Sequence, residues 1–237
     1  MRRLRSNRLI ALLACVFVLV SLFALTSCAP VQTDEAEEVL PVEDTPYTWV
    51  LDYTQDMQLP ELPTGCEATA ASTLLRMNGV LVTKQEVADA MPKSDTDFVY
   101  AFLGDPYSYD GWACAPPCVV KTINGFCEIE EEYAAVDMTG TALAELPLPA
   151  AVWVTIDLVQ PEDPVRVVDG YGLYRSSHCM VVRSITDTGV DVIDPLGGDP
   201  TYDRAKFEGI YDAMGRQAVC VVDLRTALEI TNERGVG

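Results

Sequence analysis

Cys66 and His178 are the two residues of this chain whose types can perform nucleophilic chemistry together. His178 is the sole histidine, and Cys66 ends a Pro/Gly-rich approach, Gln58-Leu-Pro-Glu-Leu-Pro-Thr-Gly65, at the head of an apolar stretch. A thiol attacks a carbonyl only as the thiolate, and an ordinary pKa near 8.5 leaves about 3% ionised at pH 7. A helix N-terminus favours the anion by roughly 0.3–1 kcal/mol, less than the ~1.36 kcal/mol of one pKa unit. The dipole is therefore insufficient, and an imidazole that takes the proton is required. Asp194, before Pro195-Leu-Gly-Gly198, is the candidate that orients the imidazole and stabilises its cation. The Gln58 amide, beside the Cys66 N–H, is the candidate donor to an oxyanion, with Gln55 as a second amide nearby. Glu67 follows the nucleophile candidate, with no chemical role assigned beyond favouring a helix N-terminus.

The elements that must position these groups can be read from periodicity. From Glu67 the apolar residues Ala70, Ala71, Leu74, Leu75 and Met77 recur at helical spacing, and Gly79 closes the helix. Its early small residues predict close packing, and hence a central helix. Thr83-Lys-Gln-Glu86 is a capping box for a second helix running to Met91 and stopped by Pro92. Residues 94–115 read as loop, and Cys118 to Asn124 as a helix halted at Gly125. Thr141 to Leu146 reads as a short helix, Ala150 to Leu158 as a strand, and Pro161 to Arg175 as a turn-rich connection. Cys179 to Ile185 and Val190 to Ile193 predict a hairpin about Asp187-Thr-Gly189, which sets His178 and Asp194 at one end of the ladder. Asp191 is expected to point to solvent, and Ala218 to Asp223 is a last strand. Helices followed by antiparallel strands give the α+β class.

Gln58…Leu62-Pro-Thr-Gly-Cys-Glu67, with His178-Cys-Met-Val-Val182 and Asp194-Pro-Leu-Gly-Gly198, resembles the C39-like group of papain-fold cysteine peptidases. Phe102-Leu-Gly-Asp-Pro106 and Tyr211-Asp-Ala-Met-Gly-Arg-Gln-Ala218 resemble its supporting segments. The resemblance spans roughly residues 50–223. It implies a papain-like fold in which a Cys-bearing helix packs on an antiparallel sheet carrying His and Asp. It also implies Cys66 as nucleophile, His178 as base, Asp194 as orienter and Gln58 as oxyanion donor.

The N-terminus reads as an export signal. Arg2, Arg3, Arg5 and Arg8 precede an apolar run from Leu9 to Leu25, and Leu25-Thr-Ser-Cys28 resembles a bacterial lipobox. Residues 1–27 are then a lipoprotein signal peptide and Cys28 the lipidated residue, an uncleaved anchor being the alternative. Two acyl chains suffice for stable attachment, which places the body outside the cytoplasmic membrane. Residues 28–46 are acidic, proline-containing and without aromatics, so a disordered tether is expected. The peptidase domain is expected over 47–230, with a flexible tail over 231–237.

Composition narrows the partners. With 36 acidic against 16 basic residues and a net charge of −20, phosphate backbones are repelled and nucleic acid is not expected. The remaining cysteines allow bridges of Cys114 with Cys118 or Cys127 and of Cys179 with Cys220, or buried free thiols. One histidine and no repeated Cys-x-x-Cys argue against zinc. The expected activity is cofactor-free hydrolysis of an amide in a peptide or protein, cell-wall peptide included. A cell-wall amidase or acyl transferase would use the same residues, and a surface binding module without turnover is the alternative of another class.

Overall fold

A computed structural model describes residues 56–127 and 133–234. The signal peptide over 1–27, Cys28, the tether over 28–46, the domain start at Tyr47, Gln55 and the last three residues lie outside the described residues, as does the side chain of Cys127.

Helix α1, Cys66–Met77, is the centre of the body. Every residue from Cys66 to Leu75 is buried. Ala68, Ala70 and Ala71 let neighbouring elements approach its backbone. The interspersed hydroxyls are satisfied within the helix: Thr69 Oγ1 donates to the Gly65 carbonyl at 2.9 Å, and Ser72 Oγ and Thr73 Oγ1 donate to the Thr69 carbonyl at 2.9 Å each. That local pairing removes the cost of burying them. Gly79, at φ 84°, turns the chain out of the helix, and the Val80 N–H returns to the Leu75 carbonyl at 3.0 Å. Helix α2, Lys84–Ala90, opens with the expected reciprocal box between Thr83 and Glu86.

Two short parallel strands, β1 (Lys93–Ser94) and β2 (Phe102–Leu103), sit in the loop-rich stretch. Helix α3, Pro116–Cys127, continues past Gly125. Ahead lie β3 (Tyr133–Asp137), a 3-10 turn at Leu143–Glu145, β4 (Ala150–Thr155) and a second 3-10 turn at Ile156–Leu158. The strand expected over 150–158 thus stops at Thr155, where Asp157 and Leu158 take positive φ of 58° and 50°. The connection after it contains a hairpin, β5 (Arg166–Val168) and β6 (Tyr171–Leu173). Strands β7 (Ser177–Ile185), β8 (Gly189–Ile193) and β9 (Thr201–Asp203) follow, then α4 (Arg204–Ala213), β10 (Ala218–Asp223) and α5 (Leu224–Arg234). Residues 231–234, assigned to the tail by sequence, are helical: Asp223 accepts the Thr226 N–H at 3.0 Å and Ala227 is buried.

Six strands form one sheet in the order β3-β10-β4-β7-β8-β9, antiparallel throughout. Period-2 alternation divides its residues between two cores. Ala151, Trp153, Cys179, Val181 and Val219 pack with α1, α2 and α3. Val152, Val154, Met180, Val182 and Cys220 pack with α4. Cys179 and Cys220 therefore lie on opposite faces of the sheet, which excludes a bridge between them. Cys66, Cys114, Cys118, Cys179 and Cys220 are all buried free thiols.

Candidate active site

Gly65 makes the approach to α1 possible. A Cβ there would stand 2.7 Å from Leu62 Cβ, and Leu62 is fully buried, so only glycine lets the turn close onto the helix. The preceding residue ties the approach to the next loop: Thr64 Oγ1 donates to the Ser108 carbonyl at 3.0 Å. Gly111 supports that junction, since a Cβ there would collide with Thr64 and the Asp105 carbonyl. Cys66 is thereby the first residue of α1, where backbone N–H groups lack helical acceptors.

On the sheet, Val181 pairs with Ile193 and Val182 with Val192. His178 and Asp194 are diagonal neighbours one step beyond that register. His178 Nε2 meets Asp194 Oδ1 at 2.7 Å, which leaves Nδ1 as the ring nitrogen for other partners. Asp194 also accepts from the Leu196 N–H at 2.8 Å and the Tyr202 hydroxyl at 3.4 Å. Burial opposes its ionisation. The His178 bond and charge, with Leu196 and Tyr202, outweigh this and hold the carboxyl below its ordinary range.

Gln58, Cys66 and His178 line one cavity of about 430 Å³, a size suited to part of a peptide. The structure thus brings together all four sequence-selected residues, three on the cavity and Asp194 behind the imidazole. Gln58 is held by its N–H to the Pro195 carbonyl at 2.9 Å, and its Nε2 donates to the Pro63 carbonyl at 3.0 Å. That engages one of two amide hydrogens. Its buried Oε1 has no partner among the described residues.

Glu67 is the residue whose importance sequence reasoning missed. It is fully buried. Its Oε2 accepts the Cys66 thiol at 3.1 Å and its Oε1 the Cys114 N–H at 3.2 Å. Burial raises its pKa to about 6, while the Cys66, own-backbone and Cys114 hydrogen bonds and the His178 charge oppose the rise. Burial, then the Glu67 and Cys179 charges and the Glu67 hydrogen bond, push the Cys66 thiol well above its ordinary range, while the Cys179 N–H works the other way. In this resting arrangement Cys66 is a thiol bonded to a carboxylate. The signal was an acid in the first helical turn, but its inward direction depends on what packs there. Asp191 is half-exposed on the face away from Val190 and Val192, where it accepts from Ser184 Oγ at 2.7 Å and from Thr201 on β9. Among the described residues no three His, Cys, Asp or Glu side chains cluster as a metal site.

A family profile matches residues 50–219, nearly the whole body. The chain belongs to the Peptidase_C39 like family. Among solved structures, one from Bacillus anthracis described as a C39-like peptidase is 24% identical, covering 71% of this chain and 94% of that one, with a TM-score of 0.59. It shares the fold. Two others are a double glycine motif protease from an AMS/PCAT transporter, in complex with the leader peptide, and the peptidase domain of Streptococcus ComA, a bi-functional ABC transporter. They are 14% and 10% identical, each covers 72% of this chain (89% and 98% of their own), and the TM-scores are 0.43 and 0.45. No curated protein matches the chain. The mixed α/β body with its antiparallel sheet is the fold of C39-like papain-fold peptidases.

Proposed function

We propose that the protein is a cysteine peptidase that hydrolyses an amide through a thioester. The observation that carries this is the shared cavity of Gln58, Cys66 and His178, with Asp194 bonded to the far nitrogen of the imidazole at 2.7 Å. Substrate entering the cavity draws the Cys66 thiol from Glu67 toward His178. Its proton passes to His178 Nδ1, and sulfur attacks the carbonyl carbon. The negative charge on the tetrahedral oxygen is met by the Cys66 N–H and the free hydrogen of the Gln58 amide. The C–N bond breaks as His178 returns the proton to the leaving amine. Water, deprotonated by His178, then cleaves the thioester and regenerates the thiol. Asp194 keeps the ring oriented and offsets its charge throughout.

The test is intact-mass detection of the covalent acyl-enzyme after acid quenching during turnover of a peptide mixture. Wild type should gain the mass of an acyl fragment on Cys66, and Cys66→Ala should gain none and cut nothing. Cleavage by Cys66→Ala at the wild-type rate would refute the assignment. A specific observation favours the alternative of a binding module: the thiol is paired with Glu67 and has a raised pKa. Peptide binding without any cleavage would select it.

We further propose attachment to the outer face of the cytoplasmic membrane through lipid on Cys28, on the strength of the basic start, apolar run and Leu-Thr-Ser-Cys28. Detergent-phase partitioning should be lost in Cys28→Ala; retention would mean that residues 9–25 act as an anchor.

A further inference from the structure

The cavity that Cys66 and His178 line has a charge unlike the rest of the molecule. Among the described residues its lining contains no Asp or Glu, and Arg175 is the one permanently charged residue there, in a chain of net charge −20. The acids adjacent in sequence to lining residues, Glu67 beside Cys66, Asp110 between Tyr109 and Gly111, and Asp157 beside Ile156, are not part of that lining, nor is Asp169, the acid nearest Arg175 in sequence.

Arg175 is also singular in its bonding. Among the described residues Arg76, Arg183, Arg204, Arg216 and Arg225 form ion pairs. Arg166 and Arg234 donate to backbone carbonyls. Arg175 alone among the described arginines has no hydrogen bond or ion pair. Its guanidinium lies 5.8 Å from the centroid of the Trp112 ring. Stacking on an aromatic face fixes the plane of the group while its edge N–H donors stay available. Those donors form a fork that matches a carboxylate. In a protein with so many acids, an arginine left without one, on the rim of the cavity that holds Cys66 and His178, is placed to take an acid from a ligand. Beside it, Trp112 and Tyr109 are 41% and 82% exposed, apolar surface that a bound side chain would cover.

We propose that Arg175 is a specificity residue for a peptide carrying a carboxylate within one or two residues of the cleaved bond. The carboxylate is an Asp or Glu side chain or a free α-carboxylate, and a neighbouring side chain packs on Trp112 and Tyr109. This inference rests on the hydrolase reading and gives its substrate class. Because the body as a whole repels anions, the selection is local to Arg175, not a product of long-range steering.

The test uses the full chain and an equimolar library of ten-residue peptides, matched in Asp/Asn and Glu/Gln and made as both C-terminal acids and C-terminal amides. Wild type should cut acid-containing members about tenfold or more faster than their amide counterparts, the gain of one charge-assisted bond. Arg175→Gln should reduce that ratio to about one, Arg175→Lys should restore part of it, and Arg175→Glu should invert it toward basic peptides. Loss of preference only among the C-terminal acids would identify the α-carboxylate as the group bound; loss among side-chain acids would identify Asp or Glu. A wild-type ratio near one, or a ratio that survives in Arg175→Gln, overturns the proposal. Failure of the hydrolase reading has a separate signature, cleavage absent in wild type or unchanged in Cys66→Ala. In that event binding decides. Acidic peptides titrated into Cys66→Ala should change tryptophan fluorescence at least tenfold more tightly than their amide counterparts, and equal affinities overturn the proposal.

Discussion

The Cys66 thiol donates to the carboxyl of its own neighbour, Glu67, at 3.1 Å, and among the described residues it has no hydrogen bond to His178. A carboxylate in this position disfavours the thiolate, because two like charges would share a buried site. Glu67 therefore adds to burial in holding the thiol protonated, and its pKa of about 6 places the change in its charge within an accessible range.

Replacing Glu67 by Gln should raise the alkylation rate of Cys66 by about 3–10-fold at pH 7.5, since less than one pKa unit of repulsion suffices for that. At pH 4.5 Glu67 is protonated in wild type too, so the two proteins should converge there. Iodoacetamide labelling of Cys66 followed by peptide mass analysis measures both. A rate difference that persists at low pH would sink this account of Glu67.

The same residue makes a prediction about stability. An unfolded carboxyl near 4.5 and a folded one at about 6 mean that the folded state binds the proton more tightly. Ionising Glu67 therefore costs stability as pH rises from about 4.5 through 6, by about 2 kcal/mol once complete. Glu67→Gln should melt higher than wild type at pH 8, and the gap should close at pH 4. Calorimetry across that range reads the sign directly.

Asp194 works in the opposite sense. Its carboxyl is held below the ordinary 3.8, chiefly by His178 against the cost of burial. The stability it contributes is present above that value and lost as pH falls through the folded pKa. Asp194→Asn should thus melt below wild type at pH 7, with the difference shrinking below about pH 3.8. By the proposed mechanism kcat/KM should fall by about 10²–10⁴-fold, because the ring loses the carboxylate charge that stabilises its cation. Activity within about threefold of wild type would remove Asp194 from the mechanism.

Gly65→Ala tests how the approach loop seats the nucleophile candidate. The added methyl meets Leu62 Cβ at 2.7 Å, and overpacking of this kind costs about 1–3 kcal/mol. Thermal denaturation should show a drop of roughly 2–10 °C. An unchanged midpoint would mean the loop yields without cost.

Much of the architecture was legible because it is written in local pattern. The helix from Cys66, the Thr83–Glu86 box and the hairpin about Asp187–Gly189 depend on residues close in sequence, and each forms where its pattern lies. The ends of elements were less legible. β4 stops at Thr155 because Asp157 and Leu158 adopt positive φ, which no apolar run announces. β3 and β9 gave no usable signal, since short edge strands owe their existence to the neighbours they pair with. The disulfide question likewise depended on strand order, which put Cys179 and Cys220 on opposite faces.

By itself the sequence determined the α+β class, the central helix and the hairpin register that sets His178 beside Asp194, because periodicity and short-range register need no knowledge of distant contacts. Only the tertiary structure decided which way Glu67 points, what the Cys66 thiol touches and which of the described arginines is left without a hydrogen bond or ion pair. Those depend on which surfaces meet in three dimensions. Glu67 turns inward because α1 is covered on every side in its first turns, and Arg175 lies over Trp112, which ends a 104–112 loop fastened at Thr64.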